Sequence, residues 1–395
     1  MTIKNEHNKI NVPNLRFPEF QGEWEESSIG EMFDLYSGNT PSRLNKEHFK
    51  GTINWISSGE LKEHYIYSSK EQISEEAAKS LKLLPVGTFV IAIYGLEAEG
   101  VRGTGSIIQE LSTISQACMS FIPKGVIENE FLYSWYKKHG NVIGIRYAQG
   151  TKQQNLSYDI LEKFRIAYPN SKEQEKLNNF ISLLDERIAT QNKIIEDLKK
   201  LKCAIIEKVY SEIQGKEYSY GQLFDVVNER NKQMEYSNIL SASQEKGMVN
   251  RDDLNLDIQF ERSNINTYKI VRKGDYVIHL RSFQGGFAFS DKLGVCSPAY
   301  TILRPNSLLE YGYLSNYFTS RSFIKSLVLV TYGIRDGRSI NVDEWLSMKT
   351  TIPSKEHQQY IVKVIGCFDR KIESEEAYAA HLSKQKQYLL RQMFI

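Results

Sequence analysis

From Pro169 onward the chain places apolar residues at alternating steps of four and three: Leu177, Ile181, Leu184, Ile188, Ile195, Leu198, Ile205 and Val209, with Gln191 and Lys202 holding two slots of the series. That spacing averages 3.5 residues, the period of a helix that buries one narrow stripe against another helix. It predicts a helix over 169–214. The same pattern returns without a gap in the last stretch of the chain, as Ile361, Ile365, Phe368, Ile372, Ala379, Leu382, Leu389 and Met393, and the slots of Gln191 and Lys202 are refilled by Glu375 and Lys386. Pro169 falls on Pro353, Gln174 on Gln358 and Asp185 on Asp369, so a second helix is predicted over 353–395. Polar residues in an apolar seam lower stability but fix register and partner. Their matched positions point to the two helices pairing with each other as an antiparallel coiled coil, through Leu177, Ile181, Leu184, Ile188, Leu198 and Ile205 on one side and Ile361, Ile365, Phe368, Ile372, Leu382 and Leu389 on the other. At 1.5 Å per residue such a helix is a rod of roughly 60 Å.

Ahead of each rod the texture changes to short strand-like runs, glycine turns and a cluster of aromatics. SIGEMFDLYSG (Ser28 to Gly38) matches SYGQLFDVVNE (Ser219 to Glu229). VGTFVIAIYG (Val86 to Gly95) matches KGDYVIHLRS (Lys273 to Ser282), and ISQACMSFIP (Ile114 to Pro123) matches CSPAYTILRP (Cys296 to Pro305). Each is followed by an aromatic stretch with helical character, FLYSWYKK from Phe131 and YLSNYF from Tyr313. The expected class is α+β: two related mixed α/β modules separated by two long paired helices, with a pseudo-two-fold internal repeat. The expected division is a polar tail at 1–12, a first module at 13–168, the first rod at 169–214, a second module at 215–352 and the second rod at 353–395.

Composition narrows the class only a little. With 395 residues, 41% hydrophobic and 25% charged, the chain reads as an ordinary globular protein of two or three domains. Its formal net charge of +2 neither requires nor excludes nucleic acid, since phosphate binding needs a local patch and not a high total. The four cysteines, Cys118, Cys203, Cys296 and Cys367, contain no CxxC pair, so neither a disulfide framework nor a zinc ribbon is indicated. The polar start MTIKNEHNKINV has no signal-type apolar region, and the longest apolar run, near Phe89 to Tyr94, is too short to span a bilayer. A cytoplasmic location without membrane attachment is the expectation.

Catalytic constellations are missing. No GxxxxGK[ST], HExxH or GxSxG occurs, and no Asn/Asp-Pro-Pro loop of the sort that holds a base extruded for methylation. VRGTGS (Val101 to Ser106) imitates a dinucleotide turn, but a lone GxG is far more often a tight turn between strands. The seven histidines show no metal-ligand spacing. The chain is therefore expected to be non-catalytic, to hold no metal and to bind no cofactor.

Reading base edges calls for Arg or Lys toward guanine and Asn or Gln toward adenine, on loops that reach a groove. Such residues cluster at comparable points of both halves: Arg102, then Lys152, Gln153 and Gln154, in the first; Arg281 and Gln284, then Arg335 and Arg338, in the second. The later loop of each half stands just before the strand and proline that enter a rod. One position filled with different side chains is what two readers of unlike half-sites require. Solvated glycine-rich turns are the alternative reading of the same residues.

PNLRFPEFQGEWEESSIGEMF (Pro13 to Phe33), SFQGG with CSPAYTILRP in the second half, and the two P-x3-E/H-Q rods ending LKKLKCAII and LSKQKQYLL together resemble the specificity subunit of type I restriction–modification enzymes. The resemblance implies two target-recognition domains, each reading one half of a split asymmetric site in double-stranded DNA. It implies helices that set the spacer and dock two methyltransferase subunits, which restriction/translocase subunits then join. The assembled complex would be an adenine-N6 DNA methyltransferase and ATP-dependent endonuclease, with S-adenosylmethionine, ATP and Mg2+ used by the partner subunits. A coiled-coil scaffold for proteins, without DNA binding, is the competing reading, and an enzyme with a site around VRGTGS is a third.

Overall fold

The computed structural model describes residues 11–98, 100–150, 154–243, 246–253, 262–279, 286–332 and 339–395. Two compact units emerge: residues 1–192 with 377–395, and residues 193–376. The divisions fall inside the two long helices, Ser171–Ser211 and Lys355–Met393, so each unit owns one half of each helix.

In the first unit a five-stranded sheet has the order Phe33–Ser37, Cys118–Pro123, Phe89–Ala92, Gly105–Ile108, Tyr65–Ile66, antiparallel except at the last pairing. Its central strand Phe89–Ala92 is buried at all four positions because both faces of the sheet are covered. Strand alternation sorts the side chains. Phe89 and Ile91 join Phe33, Phe121, Phe131 and Tyr136 beneath the helix Asn129–Tyr147, whereas Val90 and Ala92 join Ile56, Leu61, Leu84 and Ile114 on the opposite face. Behind that face lies a three-stranded sheet ordered Glu71–Ile73, Ile53–Ile56, Ser112–Ile114. A separate ribbon closes the unit: Glu25–Ser28 pairs antiparallel with Arg165–Tyr168, the strand that leads into the first long helix.

The second unit repeats the plan. Its sheet runs Phe224–Val227, Thr301–Pro305, Tyr276–Ile278, Phe287–Phe289, the first four places of the other sheet in the same order. Tyr276 and Ile278 face one core and Val277 the other. Lys216–Ser219 pairs with Lys349–Ile352, the strand that stands to Pro353 as Arg165–Tyr168 stands to Pro169. One element departs from the sequence expectation. Where the first unit has the 19-residue helix Asn129–Tyr147, the YLSNYF stretch gives turns and the 3-10 segment Tyr317–Thr319, and a short helix, Arg321–Ser326, starts afresh. Gly312 adopts φ +72°, and Ser320 caps Phe323 N–H with its side chain, so hydrogen bonding is reset instead of continuing along one helix.

Within each unit the long helices run antiparallel. In the first, Lys386 pairs with Asp185 and Arg187 donates to the Tyr378 hydroxyl at 2.6 Å. In the second, Lys202 meets Asp369 at 2.5 Å and Lys199 meets Glu376 at 2.6 Å. Leu177, Ile181, Ile361, Ile365, Ile372 and Leu382 are buried, while Leu184, Ile188, Leu198, Ile205, Phe368 and Leu389 are half-buried. Near the end of the first helix Ile206, one position past the seam residue Ile205, enters the core of the second unit.

A buried glutamine ties each helix start to its own unit. The Gln174 side chain accepts from Glu128 N–H at 3.0 Å and donates to the Val126 and Pro169 carbonyls at 3.2 and 2.9 Å. Gln358 accepts from Glu310 N–H at 2.7 Å and donates to the Leu308 and Pro353 carbonyls at 3.0 and 3.1 Å. The lead segment before Glu25 is anchored too: Arg16 makes a fork of two 2.7 Å bonds with the buried Glu173, and Phe17 sits edge-on to Phe180.

Candidate nucleic-acid interface

Of the first-unit residues that the sequence singles out, Arg102 and Gln154 stand on segments that fold against each other. Arg102 lies in the turn joining the antiparallel strands Phe89–Ala92 and Gly105–Ile108. Gly103 adopts φ +72° there, and a Cβ added to it would come within 2.9 Å of Asn141 N, so the turn lies directly on the helix Asn129–Tyr147. The aliphatic stem of Arg102 rests over Gly144 of the same helix, where a Cβ would meet Arg102 Cγ at 2.9 Å. Two small residues, Gly140 and Gly144, thus give the turn room to seat. VRGTGS is absorbed by this packing as a turn between strands.

Neighbouring residues Gln149 and Gln154 to Leu156 are stitched to that turn and to each other through the backbone. Leu96 N–H donates to Gln154 O at 3.1 Å, Leu156 N–H to Ile93 O at 2.9 Å, and Gln149 and Asn155 exchange two 2.8 Å bonds. Gln154 N–H donates to the Glu97 carboxylate at 2.9 Å, and that bond holds the Glu97 pKa below the ordinary carboxylate value. Arg102 and Gln154 therefore belong to one rim. Tyr147, at the end of the helix beside them, is exposed and meets Phe164 edge-on at 4.9 Å. Lys152 and Gln153 lie outside the described residues.

In the second unit, Arg281 and Gln284, and Arg335 and Arg338, also lie outside the described residues, but the structure on either side of them is clear. Residues 280–285 are bounded by the antiparallel strands Tyr276–Ile278 and Phe287–Phe289, with His279 N–H donating to Gly286 O at 2.6 Å. These strands hold the same places in their sheet as the two that flank Arg102. Residues 333–338 are bounded by the pair Thr331–Tyr332 and Ser339–Ile340. They precede the helix Val342–Ser347, which begins at the same repeat position as its counterpart Tyr158–Leu161. The described elements that bound these two segments thus correspond to those that bound the Arg102 turn and follow Gln154 in the first unit.

Sequence reasoning passed over Glu97, which orders the rim, and Gln174 and Gln358 as latches. The glutamines carried a signal, an amide kept at the same slot of both repeats. Glu97 carried none. Among the described residues no group of His, Cys, Asp and Glu is arranged to hold a metal ion, and no helix is long and apolar enough to cross a membrane.

Comparison with known proteins agrees with this architecture. Residues 21–200 match the family described as the type I restriction modification DNA specificity domain. The chain is 27% identical over 212 residues to the type I restriction enzyme MjaIX specificity subunit of Methanocaldococcus jannaschii, covering 51% of this chain and 48% of that protein. It is 29% identical over 222 residues to the type I restriction enzyme EcoR124I/EcoR124II specificity subunit of Escherichia coli, covering 55% and 51%. The chain thus spans about half the length of the curated relatives it matches. In fold it is similar to the type I restriction-modification S subunit from M. genitalium, with TM-score 0.55 and 15% identity over 97% of this chain and 99% of that one. A chain from a structure describing complex assembly and conformational transition of the type I R-M system gives TM-score 0.60 and 14% identity over 94% and 97%.

Proposed function

We propose that this chain, which belongs to the specificity-subunit family of type I restriction–modification systems, binds double-stranded DNA with each unit reading one half of a bipartite asymmetric site. The observation that carries the reading is the duplication of structure around unlike side chains. In its support, the strands that bound the Arg102 turn have counterparts in those that bound residues 280–285, and residues 333–338 precede the helix entry as Gln154 does in the first unit, while the sequence puts Arg102 and Gln154 in one half and Arg281, Gln284, Arg335 and Arg338 in the other. Arginine suits guanine edges and glutamine suits adenine edges, so unlike furnishing means unlike half-sites.

In this reading the chain supplies recognition and no catalysis. Methyltransferase subunits, bound along the long helices, would bring S-adenosylmethionine and the base-flipping pocket, at a few kcal/mol for unstacking the target adenine. Restriction subunits would bring ATP-driven translocation and cleavage with Mg2+. The length of the paired helices would set the number of base pairs between half-sites. Contacts to phosphates from lysines and arginines would make binding fall steeply with added salt.

The test is methylome sequencing of a host with and without the gene. A split motif methylated only when the gene is present is the expected result, and it would give both half-sites and their spacer together. Identical methylomes, together with no salt-dependent shift of duplex DNA by the chain assembled with its methyltransferase, would favour a scaffold that binds proteins alone.

A further inference from the structure

His64 is clamped on every side in the first unit. Its ring lies flat between Tyr65 and Tyr133, at centroid distances of 4.1 and 3.9 Å and interplanar angles of 9° and 0°. Nδ1 is 3.0 Å from Asp185 Oδ2 and Nε2 is 2.8 Å from Glu130 Oε2. Ionised carboxylates only accept hydrogen bonds. A neutral imidazole carries one N–H and one bare nitrogen, and would turn a lone pair toward one of these two oxygens. The imidazolium alone donates to both, and the tyrosine faces above and below favour a cation. The side chain is only 8% exposed, so water offers little relief to the unpaired arrangement.

The elements around it bring further charges. The helix Asn129–Tyr147 contributes Glu130, Tyr133 and Lys137, whose ammonium stands 5.1 Å from the Tyr133 ring centre. The first long helix contributes Asp185 and the second Lys386, which donates to the other oxygen of Asp185. Glu63 and Tyr65 flank His64 in its own segment, and the His64 carbonyl accepts from Ile107 N–H at 2.8 Å at the edge of the five-stranded sheet. His64 is one point where that sheet edge meets the helix pair.

We propose that His64 is a positioning residue that, as an imidazolium, pegs the sheet of the first unit to its half of the helix pair through Glu130 and Asp185. The inference concerns that unit alone and stands apart from whether the unit reads DNA. Among the described residues no histidine meets Asp369, the repeat counterpart of Asp185. Burial works against the charged ring, but its hydrogen bonds to Asp185 and Glu130 outweigh this and raise the His64 pKa above the ordinary 6.5. A raised histidine stabilises the fold fully below about pH 6.5 and loses that contribution as pH rises through its folded-state value. Lys137 has the opposite sign. Burial, then Lys386, lowers it to about 8, so its contribution improves with rising pH. A comparison that keeps Lys137 in place is therefore needed.

The experiment uses the full chain labelled with 15N-histidine. At pH 7 both ring nitrogens of His64 are expected to show protonated shifts, the signal being assigned by its loss in His64→Gln. Glu130→Gln removes the carboxylate charge and leaves an amide that can also donate to a neutral ring nitrogen, and should lower the His64 titration midpoint by at least about one unit, a tenfold fall in proton affinity. The melting-temperature gap between the native chain and His64→Gln should be widest near pH 6 and narrow toward pH 9. A neutral tautomer at pH 7, a midpoint that Glu130→Gln leaves in place, or a gap independent of pH would each overturn the proposal.

Discussion

Lys202 donates to Asp369 in the second unit as its repeat counterpart Lys386 donates to Asp185 in the first, so a lysine from one repeat and an aspartate from the other close each antiparallel half-pair. The lysines that interrupt the apolar seam are thus partnered across it. Surroundings separate the two pairs: Lys386 and Asp185 are 14% and 20% exposed, whereas Lys202 and Asp369 are 20% and 43% exposed.

That difference orders two substitutions. Asp185→Asn leaves Lys386 poorly paired in the drier setting and removes one partner of His64, and should cost about 2–3 kcal/mol. Asp369→Asn, with its wetter pair, should cost no more than about 1 kcal/mol. Denaturant unfolding of the two variants checks the order, and equal losses would refute it.

The glutamine latches predict local effects. Gln174→Ala or Gln358→Ala leaves a buried N–H and two carbonyls without their amide partner, at about 2–3 kcal/mol each. Hydrogen exchange should quicken at Glu128 N–H in the first variant and at Glu310 N–H in the second, each without effect on the other amide.

Gly103→Ala tests the seat of the Arg102 turn. A left-handed φ and a Cβ pressed against Asn141 N together should cost about 1–3 kcal/mol. Under the proposed function the variant should relax one half-site while the other is still read normally. Equal weakening at both would break the assignment of one unit to one half-site.

Arg102→Ala and Arg281→Ala should each lower affinity by about 1–3 kcal/mol and relax specificity in different half-sites. Competition binding against half-site libraries, done at fixed salt, is the measurement.

Inserting four residues, about one helical turn, near Gln191 should change the preferred spacer and leave both half-sites intact. A spacer unchanged by the insertion would show that helix length is not the ruler.

The sequence shows the rods well because their signal is redundant: a 3.5 period, repeated in register, with Gln174, Asp185 and Lys202 recurring as Gln358, Asp369 and Lys386. The strand pairs Glu25–Ser28 with Arg165–Tyr168 and Lys216–Ser219 with Lys349–Ile352 were beyond periodicity, since short strands find partners more than a hundred residues away. His64 was opaque for the same reason. Its partners Glu130 and Asp185 lie 66 and 121 residues along the chain, and a lone histidine in a polar segment carries no spacing to read. YLSNYF shows the reverse failure, in which an aromatic stretch that suits a helix is overruled by a glycine turn and a serine cap.

Because the first unit draws on residues 377–395, its synthesis begins before that of the contiguous second unit and finishes after it. Leu390, Met393 and Phe394 fill its core only after the whole second unit has been synthesised. Until then the nascent first unit exposes the apolar cleft that those side chains later occupy, while the contiguous second unit holds all of its own residues. Damage to residues 377–395 therefore falls on the unit formed mainly by residues 1–192.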